Sequence, residues 1–136
     1  MRPRRILLLD FHRESLIAMC CGLELHGHLC AAQTNARAAL DIARTFQPEI
    51  VIYEWSLRPT PMLGFAAAVR ANASATAHSL LVIVASALDE PDGFSASEGV
   101  DAYFTKPVLA DDLERAFSLD LTHHMRGTGN EVPPQG

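Results

Sequence analysis

Four polar residues, each placed just after or at the end of a short apolar run, could do chemistry together. They are two carboxylates, a hydroxyl and an ammonium: Asp10, Glu54, Ser86 and Lys106. Lys106 is the only lysine in a chain that otherwise draws its positive charge from arginine. A compact, flexible ammonium can neutralise a carboxylate pair, provided that the fold brings the three groups to one place.

The elements that must position these residues alternate between strand and helix. The predicted strands cover residues 6–9, 28–33, 50–53, 80–84 and 101–105. The predicted helices cover residues 12–26, 35–47, 62–73, 89–98 and 111–119. Short buried strands in this rhythm indicate a doubly wound α/β domain with a parallel sheet and helices on both faces. The functional site of such a domain lies at the carboxyl ends of the strands, where the four polar residues and Tyr103 are expected to converge.

Length and charge exclude several classes of protein. A chain of 136 residues is the size of one domain, which we place at residues 1–121 with a flexible tail at 122–136. A net charge of −5 without a Lys/Arg cluster argues against binding to nucleic acid or to an anionic membrane. The apolar run Ile6–Leu9 is too short for a signal peptide, and no later run could span a bilayer. Three cysteines, two of them adjacent, form no disulfide framework, so we expect a cytoplasmic protein.

The order and spacing of four segments resemble the receiver domain of bacterial response regulators, from about Arg4 to Leu119. These segments are Ile6–Asp10, Pro48–Glu54, Val82–Ala87 and Gly99–Pro107. The most specific of them is the Tyr-x-x-Lys-Pro ending of the last segment. The resemblance implies a flavodoxin-like sheet of five parallel strands in the order 2-1-3-4-5.

In that family, two acids after the first strand and an aspartate after the third bind Mg²⁺. The third-strand aspartate accepts a phosphoryl group from a histidine kinase. By resemblance, Asp10 is the first acid, Ser86 and Lys106 are the residues that hold phosphoryl oxygens, and Tyr103 is the switch aromatic. The resemblance also implies that the Lys106–Pro107 peptide bond is cis. Purely structural roles are the alternative for two of these residues. Ser86 could hydrogen-bond to backbone groups at the strand end, and Tyr103 could be an aromatic residue packed in place.

Two departures from the family pattern concern chemistry. Phe11 occupies the position of the second acid, and Glu54 occupies the phosphoacceptor position. Phosphoryl transfer depends on positioning and on charge neutralisation by a metal, so we expect weak or absent Mg²⁺ binding, no cofactor and no catalysis. Glu54 is either a drifted acceptor or a permanent negative charge that replaces the phosphoaspartate. Both interpretations predict a contact between Glu54 and Lys106.

Two further departures concern geometry. The segment from Glu54 to Gly64 is longer than the family's usual turn and contains Pro59 and Pro61. The stretch from Ser86 to Lys106 is shorter, and the fourth helix within it is interrupted by Pro91 and Gly93. That helix belongs to the family's usual signalling face, so the usual output mechanism does not carry over directly.

The first helix is apolar nearly all round. If it packs as in the family, its sheet-facing residues are Ala18, Met19, Gly22 and Leu23. Its outward residues are then Leu16, Ile17, Cys20, Cys21 and Leu25, which we interpret as an interface and most simply as a homodimer seam. The alternative to an interface is that these are scattered apolar residues on the surface, which are common in proteins.

We therefore expect an atypical receiver domain of two-component or phosphorelay signalling that is not an enzyme and acts through protein contacts without phosphorylation. Its partner would be a histidine kinase or a downstream regulator. One alternative is a conventional phosphoacceptor. A less favoured one is a small-molecule-binding or enzymatic flavodoxin-like domain, although the turn after Asp10 lacks the glycines of a phosphate cradle. A metal site at His26, His28 and Cys30, with Cys20 and Cys21, is disfavoured by its spacing, and we expect no metal.

Overall fold

The computed structural model describes residues 3–55, 64–71 and 80–126, with the side chains of the last helix described up to Ser118. The strands are β1 (Arg5–Leu9), β2 (Leu29–Gln33), β3 (Ile50–Tyr53), β4 (Leu81–Ser86) and β5 (Ala102–Thr105). The helices are α1 (Arg13–Leu25), α2 (Ala36–Phe46), α3 (Phe65–Ala71), α4 (Phe94–Glu98) and α5 (Ala110–Arg126). Each predicted element is present; β3 has the predicted ends, and most of the other elements have shifted ends.

The five strands form one parallel sheet in the order β2-β1-β3-β4-β5, which confirms the predicted fold. Leu9 pairs with Tyr53, and Tyr53 pairs with Val84, so the central strands end close together. The residues of β3 and β4 are buried throughout, as expected for strands covered on both faces. The register thus brings the residues that follow β1 and β3 to the same edge of the sheet.

Alternate residues of each strand enter two separate cores. Val51, Tyr53, Val82 and Val84 pack on the side of α2, α3 and α4. The intervening residues of the same strands pack on the other side with Leu23 of α1 and with Leu113 and Phe117 of α5: Ile50, Ile52, Leu81 and Ile83. Each fully buried aliphatic side chain contributes about 1.5–3 kcal/mol to folding, so these two layers fix the positions of the strand ends.

The second helix shows how local sequence sets an element's limits. Asn35 caps α2 by accepting a hydrogen bond from the Ala38 amide at 3.0 Å through its side chain. The helix ends at Phe46, and its C-cap residue Gln47 adopts a left-handed conformation directly before Pro48. Because Pro48 cannot continue a helix, the chain turns there into β3.

The predicted orientation of α1 is wrong for Leu16, Ala18 and Cys20, of which Cys20 packs against the core rather than facing outward. Leu16 is buried rather than outward, and Ala18 is exposed rather than facing the sheet. The buried or half-buried stripe follows steps of three and four residues, which is the spacing of one helix face: Leu16, Met19, Cys20 and Leu23. Three of the five residues predicted to face outward remain on an exposed stripe: Ile17, Cys21 and Leu25.

The carboxyl-terminal half also departs from the predicted limits. Helix α4 has only five residues, because Pro91 and Gly93 (φ 74°) prevent it from starting at residue 89. Helix α5 continues to Arg126, past the predicted boundary at residue 121, and residues 127–136 lie outside the described residues. The predicted proline-containing loop with Pro59 and Pro61 also lies outside them. No helix among the described residues is both long and apolar enough to cross a membrane.

Candidate functional site

The candidate site is formed where four neighbouring strands end. Asp10 follows β1, Glu54 follows β3, Ser86 ends β4, and Lys106 follows β5. Backbone hydrogen bonds extend the ladder to these residues, since the Glu54 amide donates to the Leu9 carbonyl at 2.9 Å and the Lys106 amide donates to the Ser86 carbonyl at 2.7 Å. The four side chains predicted to converge are therefore adjacent.

The ammonium of Lys106 lies between the two carboxylates. Its Nζ atom is 2.6 Å from Oδ2 of Asp10 and 3.1 Å from Oε1 of Glu54. The predicted Glu54–Lys106 contact is thus present. The shorter contact is with Asp10, whose other carboxylate oxygen accepts a hydrogen bond from the His12 amide at 2.8 Å.

Burial makes these charges interdependent. Asp10 and Glu54 are 8% and 5% exposed, so neither carboxylate is well solvated. Oε1 of Glu54 has no well-aligned hydrogen-bond donor among the described residues, and its charge is balanced mainly by the nearby ammonium. Burial alone would lower the pKa of Lys106, but its contacts with Asp10 and Glu54 outweigh that effect and raise the pKa above its usual value. Lys106 therefore stays charged at neutral pH.

The buried hydroxyl of Ser86 touches both the side chain of Glu54 and the backbone that follows it. Oγ is 3.1 Å from Oε2 of Glu54 and 2.6 Å from the carbonyl oxygen of Trp55. It also accepts a hydrogen bond from the Leu88 amide at 3.1 Å. A hydroxyl has one proton, so Ser86 can donate to only one of its two acceptors at a time.

Tyr103 is joined to the same segment from the other side. Its hydroxyl donates to the Leu88 carbonyl at 2.7 Å, and its ring packs edge-on against Phe94 at 5.7 Å between centroids. Burial raises the pKa of Tyr103, so the hydroxyl remains a donor at neutral pH. The segment 86–88 thus carries a continuous set of contacts from Glu54 to Tyr103.

The residues at the site do not fit Mg²⁺. That ion requires near-octahedral coordination by oxygen and usually relies on carboxylates. Phe11, at the position of the second acid, is 38% exposed and offers no oxygen, and the Lys106 ammonium stands between the two carboxylates that are present. The His, Cys, Asp and Glu side chains that the structure describes include no group of three that could hold a metal ion.

A small cavity of about 20 Å³ lies beside the ion cluster. Its charged lining residues are Asp10, Glu54 and Lys106, and most of its other lining residues are apolar, with Leu16 and Met19 among them. This volume accommodates about one water molecule and is far below the size of a nucleotide or a flavin. The geometry gives no support to the small-molecule-binding alternative at this site.

The Lys106–Pro107 peptide bond is cis, as the family resemblance implied. His28, directly before β2, is engaged in hydrogen bonds and packs edge-on against Phe117. His28 is buried, its Nδ1 accepts a hydrogen bond from the Arg4 amide at 3.0 Å, and its Nε2 contacts the carboxylate of Glu114. Because both ring nitrogens have partners, neither is available as a ligand.

Two aromatic residues at the site were not predicted. Trp55 directly follows Glu54, is 7% exposed, and packs against Phe94 of α4 at 4.9 Å between ring centroids. The signal that could have identified Trp55 is its position, since it is the only tryptophan and it adjoins the acceptor position. Phe94 carried no comparable signal in the sequence.

Comparison with known proteins identifies the fold. A response regulator from Desulfuromonas acetoxidans has 21% sequence identity and a TM-score of 0.72, over 88% of this chain and 97% of that chain. The chemotaxis protein CheY4 of Vibrio cholerae has 16% identity and a TM-score of 0.75, over 87% and 98% of the two chains. A two-component response regulator from Clostridium difficile has 15% identity and a TM-score of 0.75, over 89% and 98%.

No protein-family model matches the sequence, and no curated protein matches it significantly. At these identities, the structural matches establish a receiver-like, flavodoxin-like fold.

Proposed function

We propose that this protein is an atypical receiver domain of two-component signalling that works through protein–protein contacts and without phosphorylation of its own. The observation that supports this proposal best is the position of the Glu54 carboxylate. It contacts the Lys106 ammonium through one oxygen and the Ser86 hydroxyl through the other. By resemblance, those are the two groups that hold phosphoryl oxygens in responsive receivers.

The same geometry disfavours phosphoryl transfer to Glu54. A nucleophilic carboxylate must approach phosphorus with a metal neutralising the charge that develops. Here the carboxylate is already paired with an ammonium, and the metal ligand expected at position 11 is a phenylalanine. A misplacement of about 1 Å alone can cost about 10²-fold in rate. We infer that Glu54 acts as a fixed negative charge rather than as an acceptor.

The contacts from Glu54 to Tyr103 provide a route by which that charge can act. Ser86 joins Glu54 to Leu88, and Leu88 joins Ser86 to Tyr103. In this proposal the charge of Glu54 keeps the segment 86–88 and the Tyr103 ring in one arrangement. A partner such as a histidine kinase or a downstream regulator would recognise that arrangement constitutively.

The exposed stripe on α1 supplies a second contact surface. Ile17 and Leu25 are 53% and 88% exposed, and Cys21 lies between them at four-residue steps. We propose that this stripe forms a homodimer seam. A cytoplasmic location is also part of the proposal and rests on the sequence.

The direct test is incubation of the protein with acetyl phosphate and Mg²⁺, followed by intact mass measurement. The proposal predicts an unchanged mass. A stoichiometric, acid-labile gain of one phosphoryl group would favour the conventional phosphoacceptor instead.

A further inference from the structure

Helix α4 is held by a few exposed hydrogen bonds and one buried side chain. The Gly64 amide donates to the Glu98 carboxylate at 2.8 Å, and the Arg70 guanidinium donates to the Gly99 carbonyl at 2.8 and 3.2 Å. The helix has five residues, and Phe94 is its only buried one. Gly93 precedes the helix with φ 74° and Gly99 follows it with φ 72°, a left-handed conformation that other residues rarely adopt. Because those hydrogen bonds are exposed, the buried Phe94 side chain is the main apolar anchor of α4.

Two aromatic rings hold that side chain. Trp55 packs against Phe94 at 4.9 Å with the planes inclined at 55°, and Tyr103 packs edge-on at 5.7 Å. Offset and edge-on pairs of this kind contribute beyond the area they bury. Trp55 and Phe94 are both almost fully buried, whereas Tyr103 is half-buried.

Trp55 is also fixed from the ion cluster. The Ser86 hydroxyl lies 2.6 Å from the Trp55 carbonyl oxygen and 3.1 Å from the Glu54 carboxylate. Since one proton serves both acceptors, a change at the Glu54 carboxylate alters how firmly Ser86 holds the Trp55 backbone. The Trp55 indole in turn contacts the Phe94 ring.

We propose that Trp55 and Phe94 are positioning residues that anchor helix α4 and connect it to the Glu54 site. This connection is separate from the one through the Tyr103 hydroxyl. The coupling to Glu54 rests on the proposed function, whereas the anchoring of α4 does not. The two connections differ in their contacts. The Tyr103 hydroxyl bonds to the Leu88 carbonyl, whereas the Trp55 ring touches Phe94 directly.

Native-state hydrogen exchange tests the anchoring. The Ser97 and Val100 amides donate to the Gly93 and Ser95 carbonyls at 3.0 and 2.9 Å, so they report on the local opening of α4. Trp55→Leu and Phe94→Leu should each accelerate exchange at these two amides by roughly tenfold or more, while the amides of β1 and β3 are affected less. Tyr103→Phe keeps its ring, and it should leave the two amides within about twofold of wild type.

If amide exchange were accelerated equally at α4 and at the central strands in both leucine variants, the anchoring of α4 would be overturned, because the effect would then be global. Unchanged exchange at Ser97 and Val100 in those variants would also overturn it. A Tyr103→Phe variant that opens α4 as much as Trp55→Leu does would show that the hydroxyl path is the connection.

The link to Glu54 is tested with the single tryptophan as the reporter. Glu54→Gln should shift the emission maximum of Trp55 and speed exchange at Ser97, and these effects should be smaller when Phe94 is already leucine. Additive effects of Glu54→Gln and Phe94→Leu would overturn the link while leaving the anchoring intact. Phosphorylation of the wild type by acetyl phosphate would overturn the proposed function and leave the exchange results untouched.

Discussion

The ammonium of Lys106 lies closer to Asp10, at 2.6 Å, than to Glu54, at 3.1 Å. Asp10 thus supplies the shorter contact, and Glu54 keeps one carboxylate oxygen directed at Ser86. Lys106 consequently balances two buried carboxylates at once. Each of the two carboxylates therefore depends on a cation that it shares with the other.

The first prediction concerns the free energy of unfolding of ion-cluster variants. Lys106→Met leaves two carboxylates without their cation and should destabilise the domain by about 3 kcal/mol in urea denaturation. Adding Glu54→Gln should recover part of that loss, because it removes one of the uncompensated charges. Losses that simply add would show that Glu54 and Lys106 do not interact.

A second prediction concerns the Tyr103 hydroxyl. Tyr103→Phe removes its hydrogen bond to the Leu88 carbonyl and should cost about 1 kcal/mol in the same measurement. Tyr53→Phe is the matched control, because the buried Tyr53 hydroxyl has no hydrogen-bond partner among the described residues. A greater loss for Tyr53→Phe than for Tyr103→Phe would contradict this assignment.

A third prediction concerns alkaline pH. Burial raises the pKa of Cys30 from 9.0 to about 12, with smaller contributions from Cys20 and Glu24. Between these values the unfolded chain has lost the thiol proton and the folded domain has kept it. The folded state then binds more protons, so stability must fall as pH rises from about 9 to about 12.

The measurement is the free energy of unfolding of wild type and Cys30→Ala across this range, each referred to its own value at pH 7. The variant should lose stability less steeply. Equal slopes would show that the Cys30 thiol does not contribute to the pH dependence.

A fourth prediction concerns the α1 stripe. Ile17→Glu places a charge on a half-exposed position, so it should disrupt a dimer in sedimentation experiments without unfolding the monomer. Arg115→Glu, on α5, is the control for a seam elsewhere. A wild type that is monomeric at every concentration, or an Ile17→Glu variant that still dimerises, would rule out this seam.

Much of the fold could be predicted because the signals are local. The buried runs around Leu7 and Ile83 predict central strands. The parallel register of those strands then places the residue that follows each run at the same edge of the sheet. The orientation of α1 could be predicted only in part, because the helix is apolar nearly all round and offers two faces of similar hydrophobicity. For that reason the predicted outward position of Leu16 is wrong.

At the candidate site, the convergence of Asp10, Glu54, Ser86 and Lys106 follows from the topology and was predicted. The shorter contact of Lys106 with Asp10 than with Glu54 depends on side-chain packing in three dimensions and was not predicted. The Trp55–Phe94 contact joins residues 39 positions apart in different elements, and no periodicity within either element indicates it.

The most direct test of the central claim compares phosphorylation of the wild type with that of a variant carrying Phe11→Asp and Glu54→Asp. This variant restores the acids that the family pattern has at both positions, while Asp10, Ser86 and Lys106 remain. After incubation with acetyl phosphate and Mg²⁺, intact mass spectrometry should show one added phosphoryl group on the variant and none on the wild type. A phosphoryl group on the wild type, attached at Glu54 and lost in Glu54→Gln, would contradict the account.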